Sequence, residues 1–314
     1  MTTEQSRTLA MTQHRFGGPE VLELERRPRP RPAEDEILLR VHAAGVGPAD
    51  WLARSGADPL YGEPPFTPGQ DVSGVVETAG PAVARFRPGD EVFGRIEGGG
   101  HALHVTAPAA HFAVKPATLD HVHAAAAATA ALIAWEALID IAAAGPGTRV
   151  LVHAAASGPG HVAVQLAKAE GAYVIATARA DDHAFLRGLG ADELIDPAAT
   201  DFATAVHDVD AALDLVGGDH GPRTLNTLRP NGLLISAVPG DLGLSPEDVE
   251  ARGMRFAMVR AAPSGERLAK IAALLVNDRI RVHIEAAVPL AEAAKAHELG
   301  ETGLGRGGLV LVMA

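Results

Sequence analysis

From residue 149 onward the chain reads as short apolar runs alternating with helical stretches. The first connection among them is rich in small residues: V-L-V-H-A-A-A-S-G-P-G-H-V-A-V-Q-L-A-K over residues 150–168. Strands are expected at Arg149–Ala154, Tyr173–Thr177, Glu193–Ile195, Val209–Val216, Gly232–Val238 and Met254–Arg260. Helices are expected at His161–Glu170, then after Thr177 through Leu189 to a stop at Gly190, near Pro222–Leu228, and at Glu266–Val276 with Ser264 as its N-cap. Strands separated by helices pair in parallel, because each crossover returns the chain to the same end of the sheet and covers one of its faces. The alternation therefore constrains this part of the chain to an α/β fold with a doubly wound parallel sheet.

The first 115 residues have a different grammar. Glu36–His42 alternates as a half-buried strand does, and Gln70–Thr78 is a second strand whose internal glycine predicts a bulge or a close backbone approach. Turn signals at Pro81 and Pro88-Gly89-Asp90 separate short apolar pieces, which predicts a compact β sandwich or barrel. Ala124–Ala142 reads as a helix stopped by Gly145-Pro146-Gly147. The tail, with a strand from about Val282, a helix Leu290–Leu299 and a strand Leu309–Met313, is expected to rejoin the β domain. The expected domains are 1–120 with 283–314, and 121–282.

A helix start offers free N–H groups and the positive end of a dipole, so the turn at Ala155–Gly160 suits a phosphate. Ala155, Ser157 and Gly160 stand at the spacing of G-x-G-x-x-G. By itself that pattern serves a plain connector equally well; the strand before it, the helix after it and the further βα units behind favour a dinucleotide. About 20 residues past such a turn an acid selects the NAD ribose. Here Thr177-Ala178-Arg179 occupies the place, and a guanidinium can pair a 2′-phosphate, which points to NADPH. The competing reading is that Arg179 pairs with Asp181 or Asp182.

Composition removes several classes. The chain of 314 residues carries a net charge of −12 and no cysteine, which excludes disulfides, thiol catalysis and Cys-based zinc sites. No stretch concentrates basic residues in the manner of a nucleic-acid surface, and Arg26–Arg31 with its interleaved prolines reads as an extended connector. Ala124–Ile133 is too short to span a bilayer, and no secretory leader is evident, so the expectation is a cytoplasmic protein without a membrane or nucleic-acid partner.

The motifs together resemble the medium-chain dehydrogenase/reductase superfamily, in its zinc-free quinone oxidoreductase-like branch. They run in order: Arg15–Leu22, Val41–Val46 with Ala49-Asp50-Trp51, Phe66–Gly74, Arg87–Gly94, Gly147–Lys168, Leu189–Asp196, Asp214–Gly218 and Leu228–Gly232. The resemblance implies a GroES-like β domain completed by the tail, a Rossmann-like domain, hydride transfer from NADPH to a quinone or an electron-poor C=C, and a homodimer; the alternatives are an enoyl-thioester reductase of a biosynthetic pathway and an NADPH-binding protein with little or no redox turnover. It implies a pyrophosphate on Ser157, Gly158, Pro159, Gly160, His161 and Val162, with Thr177 and Arg179 near the ribose, Val216 and Gly217 beside the adenosine, and Ala237 and Val238 near the nicotinamide. The substrate would meet Gly47, Trp51, Tyr61 and Gln70, with Tyr61 and His101 as candidate proton donors and Asp50 as a helix cap. Where zinc-dependent relatives place Cys and Gly-His-Glu, this chain has Gly47 and Gly69-Gln70-Asp71, so no metal is expected. Four residues depart from the branch: Gly47 stands for Asn, Ile133 for Thr, Pro197 for Tyr and Gly308 for Lys.

Overall fold

The computed structural model describes residues 7–58, 60–238, 242–303 and 305–313. In chain order the elements are β1 (Arg7–Thr12), β2 (Glu23–Pro28), β3 (Glu36–Val46), α1 (Pro48–Ser55), β4 (Asp71–Ala79), β5 (Glu91–Arg95), β6 (His104–Pro108), β7 (Phe112–Val114) and α2 (His121–Trp135). Then come β8 (Arg149–Val152), α3 (Gly158–Ala169), β9 (Tyr173–Thr177), α4 (His183–Gly188), β10 (Glu193–Ile195), α5 (Phe202–Ala205), β11 (Val209–Asp214), α6 (His220–Thr224) and β12 (Leu228–Ser236). Last are α7 (Pro246–Ala251), β13 (Arg255–Met258), α8 (Gly265–Val276), β14 (Ile284–Pro289), α9 (Ala293–Glu301) and β15 (Gly308–Val312).

The chain divides into two units: residues up to 129 with 262–276 and those from 284 on, and residues 130–261 with 277–283. The division departs from the expected 120/121 boundary for two physical reasons. Asp71 on β4 accepts bonds from both the N–H and the hydroxyl of Thr129, which ties the start of α2 to the β unit. Gly265 packs so closely on the carbonyl of Phe112 that α8 goes with β7 instead of with the parallel sheet.

The β unit is built on a sheet in the order β14-β15-β3-β4-β5-β7, with β6 also paired to β3, and on the hairpin β1-β2. Ile37, Leu39, Val41, Val72, Val76, Val92 and Phe112 form one core, and Met11, Val46, Leu290, Ala293, Leu309 and Leu311 form a second under α9. Gly74 makes the close approach read from the sequence: a Cβ there would lie 2.1 Å from the Arg40 carbonyl, beside a register shift in the β3–β4 ladder. Arg26 and Arg27 are strand residues of β2 paired to Leu9 and Thr8, not a connector; the prolines end that strand and do not prevent it.

The second unit is a fully parallel six-stranded sheet, β10-β9-β8-β11-β12-β13. In order of appearance its strands read 3-2-1-4-5-6, so the winding reverses between β8 and β11, the place where open α/β sheets receive ligands. Leu151, Ile175, Ala212 and Leu234 supply its buried centre. A π-helical turn, Glu136–Ile141, prolongs α2, and Glu136 caps the N–H groups of Arg260 and Ala261. The run His121–Ile141 is long and apolar enough to cross a bilayer, yet 61% of its most apolar window is buried in the protein, as suits a core helix. Sequence periodicity misses α7, whose start is marked by Ser245 and Asp248 bonding each other's N–H as a capping box.

Candidate functional site

The turn after β8 is closed by glycine for a steric reason. A Cβ on Gly160 would lie 2.4 Å from the Ala154 carbonyl oxygen and 2.8 Å from the Ala155 Cα. Both are backbone atoms that cannot step aside, so only glycine lets α3 approach β8 this closely. Ala154 opens the turn at φ 46°, in the left-handed region that costs a residue with a Cβ about 1 kcal/mol. Ser157 is the N-cap, its hydroxyl accepting from the Gly160 N–H at 3.2 Å. Within the described chain no hydrogen bond uses the N–H of Gly158. Small side chains at Ala155, Ala156 and Ser157, a spare N–H and the positive end of a helix make a seat that fits a pyrophosphate.

Beneath the seat the structure assigns three residues differently from the sequence expectation. His161 is buried; its Nδ1–H donates to the Ser157 carbonyl at 2.8 Å and its Nε2 accepts the His283 N–H at 3.1 Å. Burial lowers this imidazole to about 4, so it is a neutral strut and not a phosphate ligand. Val162 is fully buried, so its side chain is not presented to solvent. Thr177 is buried as well and serves His153. Thr224 spends its proton on the His220 carbonyl, so the Thr224 oxygen accepts from His153 Nε2–H at 2.9 Å, and the Thr177 hydroxyl then donates to Nδ1 at 3.0 Å. A buried, doubly bonded imidazole between two strand ends needs both hydroxyls, which leaves Thr177 none for a ribose.

Arg179 follows β9 and does pair with an acid, Asp182, at 3.2 Å. Asp182 is buried while the Arg179 side chain stays 45% exposed, so the pairing fixes a guanidinium that still meets solvent. Past β11, Val216 is exposed, but its N–H and that of Gly217 both donate to Asp214 Oδ1, at 2.8 and 3.0 Å. Past β12, Ala237 and Val238 are half-buried, and the Ala237 N–H donates to the Asp214 carbonyl. These four residues offer side chains and carbonyls at the ligand end of the sheet, not donors.

The β unit carries a polar cluster at the junction of β3, α1 and β4. Asp50 is buried and fully satisfied: Oδ2 accepts the Gly47 N–H at 2.9 Å, and Oδ1 accepts the Gly69 N–H at 2.9 Å and the Tyr61 hydroxyl at 3.0 Å. It caps α1 as expected and also pins the Gly69 turn. Burial, then the Asp50 charge, hold the Tyr61 phenol well above its usual range, so it donates a hydrogen bond and is a poor acid. Gln70 is buried and accepts from Arg95 at 3.0 Å. A Cβ on Gly47 would meet nothing within 4 Å, so the missing side chain leaves open space.

Two other expectations are overturned here. His101, a candidate proton donor, is wholly buried, its Nε2–H bonded to the Gly45 carbonyl at 3.0 Å and its ring against the Gly69 backbone. Trp51 turns onto α9, where Gly300 gives it room, and joins the second core instead of a substrate wall.

Asp71, of the Gly69-Gln70-Asp71 motif, joins the same cluster. Its Oδ1 accepts the Thr129 hydroxyl at 2.5 Å and the Thr129 N–H at 3.1 Å. Burial raises this carboxyl to about 7; Thr129 and Arg95 pull the other way, and Asp50 adds to the rise. Ile133 fills the place of a threonine in the branch, and Thr129 supplies a hydroxyl one helical turn earlier. Among the described residues no three His, Cys, Asp or Glu side chains gather as a metal-binding group.

Known proteins match this chain over its length. Residues 33–118 match the alcohol dehydrogenase GroES-like domain and residues 189–311 the family described as zinc-binding dehydrogenase. A quinone oxidoreductase of Sus scrofa is 31% identical over 313 residues, 95% of each chain. The quinone oxidoreductase structure from Coxiella burnetii superposes with a TM-score of 0.93 at 35% identity, covering 98% of this chain and 100% of its own. The Escherichia coli quinone oxidoreductase solved with NADPH gives a TM-score of 0.89 at 28% identity, covering 97% and 99%.

Proposed function

The chain belongs to the medium-chain dehydrogenase/reductase superfamily, in its quinone oxidoreductase-like branch, and from that membership we propose that it reduces a quinone or an α,β-unsaturated carbonyl with NADPH and without a metal. The observation that carries this reading is the Gly160-closed turn, with its spare Gly158 N–H, at the reversal point of the parallel sheet. NADPH, when bound, supplies a hydride. The chain's own contribution begins with the start of α3, whose dipole and Gly158 N–H receive the pyrophosphate. Arg179, oriented by the buried Asp182, recognises the 2′-phosphate that separates NADPH from NADH.

The donor set does not fit zinc. A catalytic zinc needs three protein ligands, and Gly47, Gln70 and Asp71 supply one carboxylate, with no thiolate or imidazole. Without a Lewis acid, a conjugated acceptor is the easier substrate, because the added charge spreads over its π-system. Chelator treatment is expected to leave turnover unchanged. We further propose a homodimer through β13, the end strand of the parallel sheet, which exposes Met258 and has no strand on its outer side among the described residues.

The test is the absorbance of NADPH on addition of 1,4-benzoquinone, 9,10-phenanthrenequinone, an alkyl enone or crotonyl-CoA. Oxidation by a quinone or the enone supports the proposal. Tight NADPH binding with no oxidation by any of the four would leave a non-catalytic binding protein and refute it.

A further inference from the structure

We propose that the β unit carries a ligand site of its own, a pocket between the β1–β2 hairpin and β6 that takes a small carboxylate with an apolar body. Every residue that builds it belongs to the β unit, so the site stands whether or not the chain is a reductase. The starting point is the basic run Arg26–Arg31, which neither the turn after β8 nor the Asp50 cluster uses. On β2, Arg27 lies opposite Thr8 of β1, and cross-strand partners point to one face of a hairpin. A cavity of about 210 Å³ opens on that face. Arg27, Thr67 and Thr106 line it as donors, while Pro28, Pro30 and Val105 give it apolar walls. Among the described residues no Asp or Glu lines it.

The hydrogen bonds leave donors free for a ligand. Arg27 Nη1 donates to the Thr12 hydroxyl at 3.3 Å, and Thr12 meets the Thr67 hydroxyl at 3.3 Å. Thr12 is wholly buried and has no other acceptor among the described residues, so its own proton goes to Thr67. Thr67 then keeps its proton for whatever fills the pocket. The Thr106 hydroxyl enters no hydrogen bond among the described residues. Thr8 and His104 bond each other at 2.9 Å and offer less.

The nearby acids are already paired. Glu25, two residues before Arg27 on β2, meets His14 at 2.7 Å. Glu77 bonds Arg29, lies 3.8 Å from Arg40 and faces His104 at 3.5 Å. The balance stays positive: His104 is lowered to about 4 by burial, then by Arg29 and Arg40, despite the carboxylate beside it. A guanidinium fork with hydroxyl donors matches the two oxygens of a carboxylate. The apolar walls suit a short hydrocarbon or aromatic body, and the volume is smaller than that of pockets for drug-sized ligands.

Benzoate is the probe, titrated into the full-length protein while amide ¹⁵N resonances are followed. Saturable shifts are expected at the Thr8, Thr67 and Thr106 N–H groups. Arg27→Met keeps the aliphatic stem, removes the charge and should weaken binding about tenfold, the scale of a lost hydrogen bond to a charged group. Because Arg27 also holds Thr12, Thr106→Val is the second variant. It breaks no hydrogen bond among the described residues and should weaken binding about fivefold, with an unchanged melting temperature. Inorganic phosphate lacks the apolar body and should bind more weakly than benzoate. Absence of saturable shifts at these three residues, or an unchanged affinity in either variant, overturns the site. Phosphate binding tighter than benzoate overturns the ligand class. None of these readouts depends on turnover, so an inactive protein would refute the reductase reading alone.

Discussion

The glycine-closed turn after β8 and the Asp50–Asp71 cluster use their polar groups in opposite ways. At the turn, the polar side chains are spent internally: His153, His161 and Thr177 are buried and bonded to neighbours. What remains for a ligand is backbone, helix dipole and small size, with Arg179 as the one charged addition. In the β unit the side chains of Asp50 and Asp71 gather donors from the backbone and from Tyr61 and Thr129. Two aspartates there differ in their partners and in their exposure. Asp50 has donors on both oxygens, while Asp71 has them on one, and burial raises the Asp71 carboxyl to about 7.

The contrast can be broken by substitution. Gly160→Val attacks the backbone seat where nothing can yield and should cost at least 3 kcal/mol, at the upper end for overpacking, and abolish NADPH binding. Thermal denaturation and cofactor fluorescence titration measure both. Asp50→Ala strands the Gly47 and Gly69 N–H groups and the Tyr61 hydroxyl; a loss of about 3 kcal/mol is expected by chemical denaturation.

Acid should weaken the turn through its neutral struts. The folded His161 sits at about 4 against 6.5 unfolded, so the unfolded chain binds the proton first. The stability it contributes is complete above pH 6.5 and lost progressively as pH falls toward 4, about 2 kcal/mol by pH 5. Melting temperatures of the wild type across that window should fall more steeply than those of His161→Gln. Arg179→Ala should raise KM for NADPH about tenfold, a loss of about 1.4 kcal/mol, and leave KM for NADH nearly unchanged; equal effects would remove Arg179 from cofactor choice. The smallest effect is expected at Gly47, where Gly47→Asn enters open space at an extended φ of −145°. Stability should move by less than about 0.5 kcal/mol while the range of acceptors narrows, as a quinone and enone panel would read out.

Much of the architecture is legible without coordinates. The change from turn-rich strands to strand–helix alternation marks the two units, and Gly74 announces a close approach that the structure contains. The short α7 escapes periodicity because six residues hold too few turns to repeat a pattern, although its capping box is readable. Site residues are harder. His101, His161 and Thr177 carry the right chemistry at suggestive places, and each is consumed by a bond to a distant strand or helix segment. Asp71 shows the converse, a residue inside a recognised motif whose bonding partner, Thr129, lies far away in sequence.

Local order along the chain determined the parallel sheet and the place of its glycine-rich turn, because periodicity acts between near neighbours. Tertiary structure decided which polar groups are left to act. A hydrogen bond and a desolvation penalty depend on what lies across space, so only the fold separates Asp71 from Asp50 and a buried strut such as His161 from a ligand.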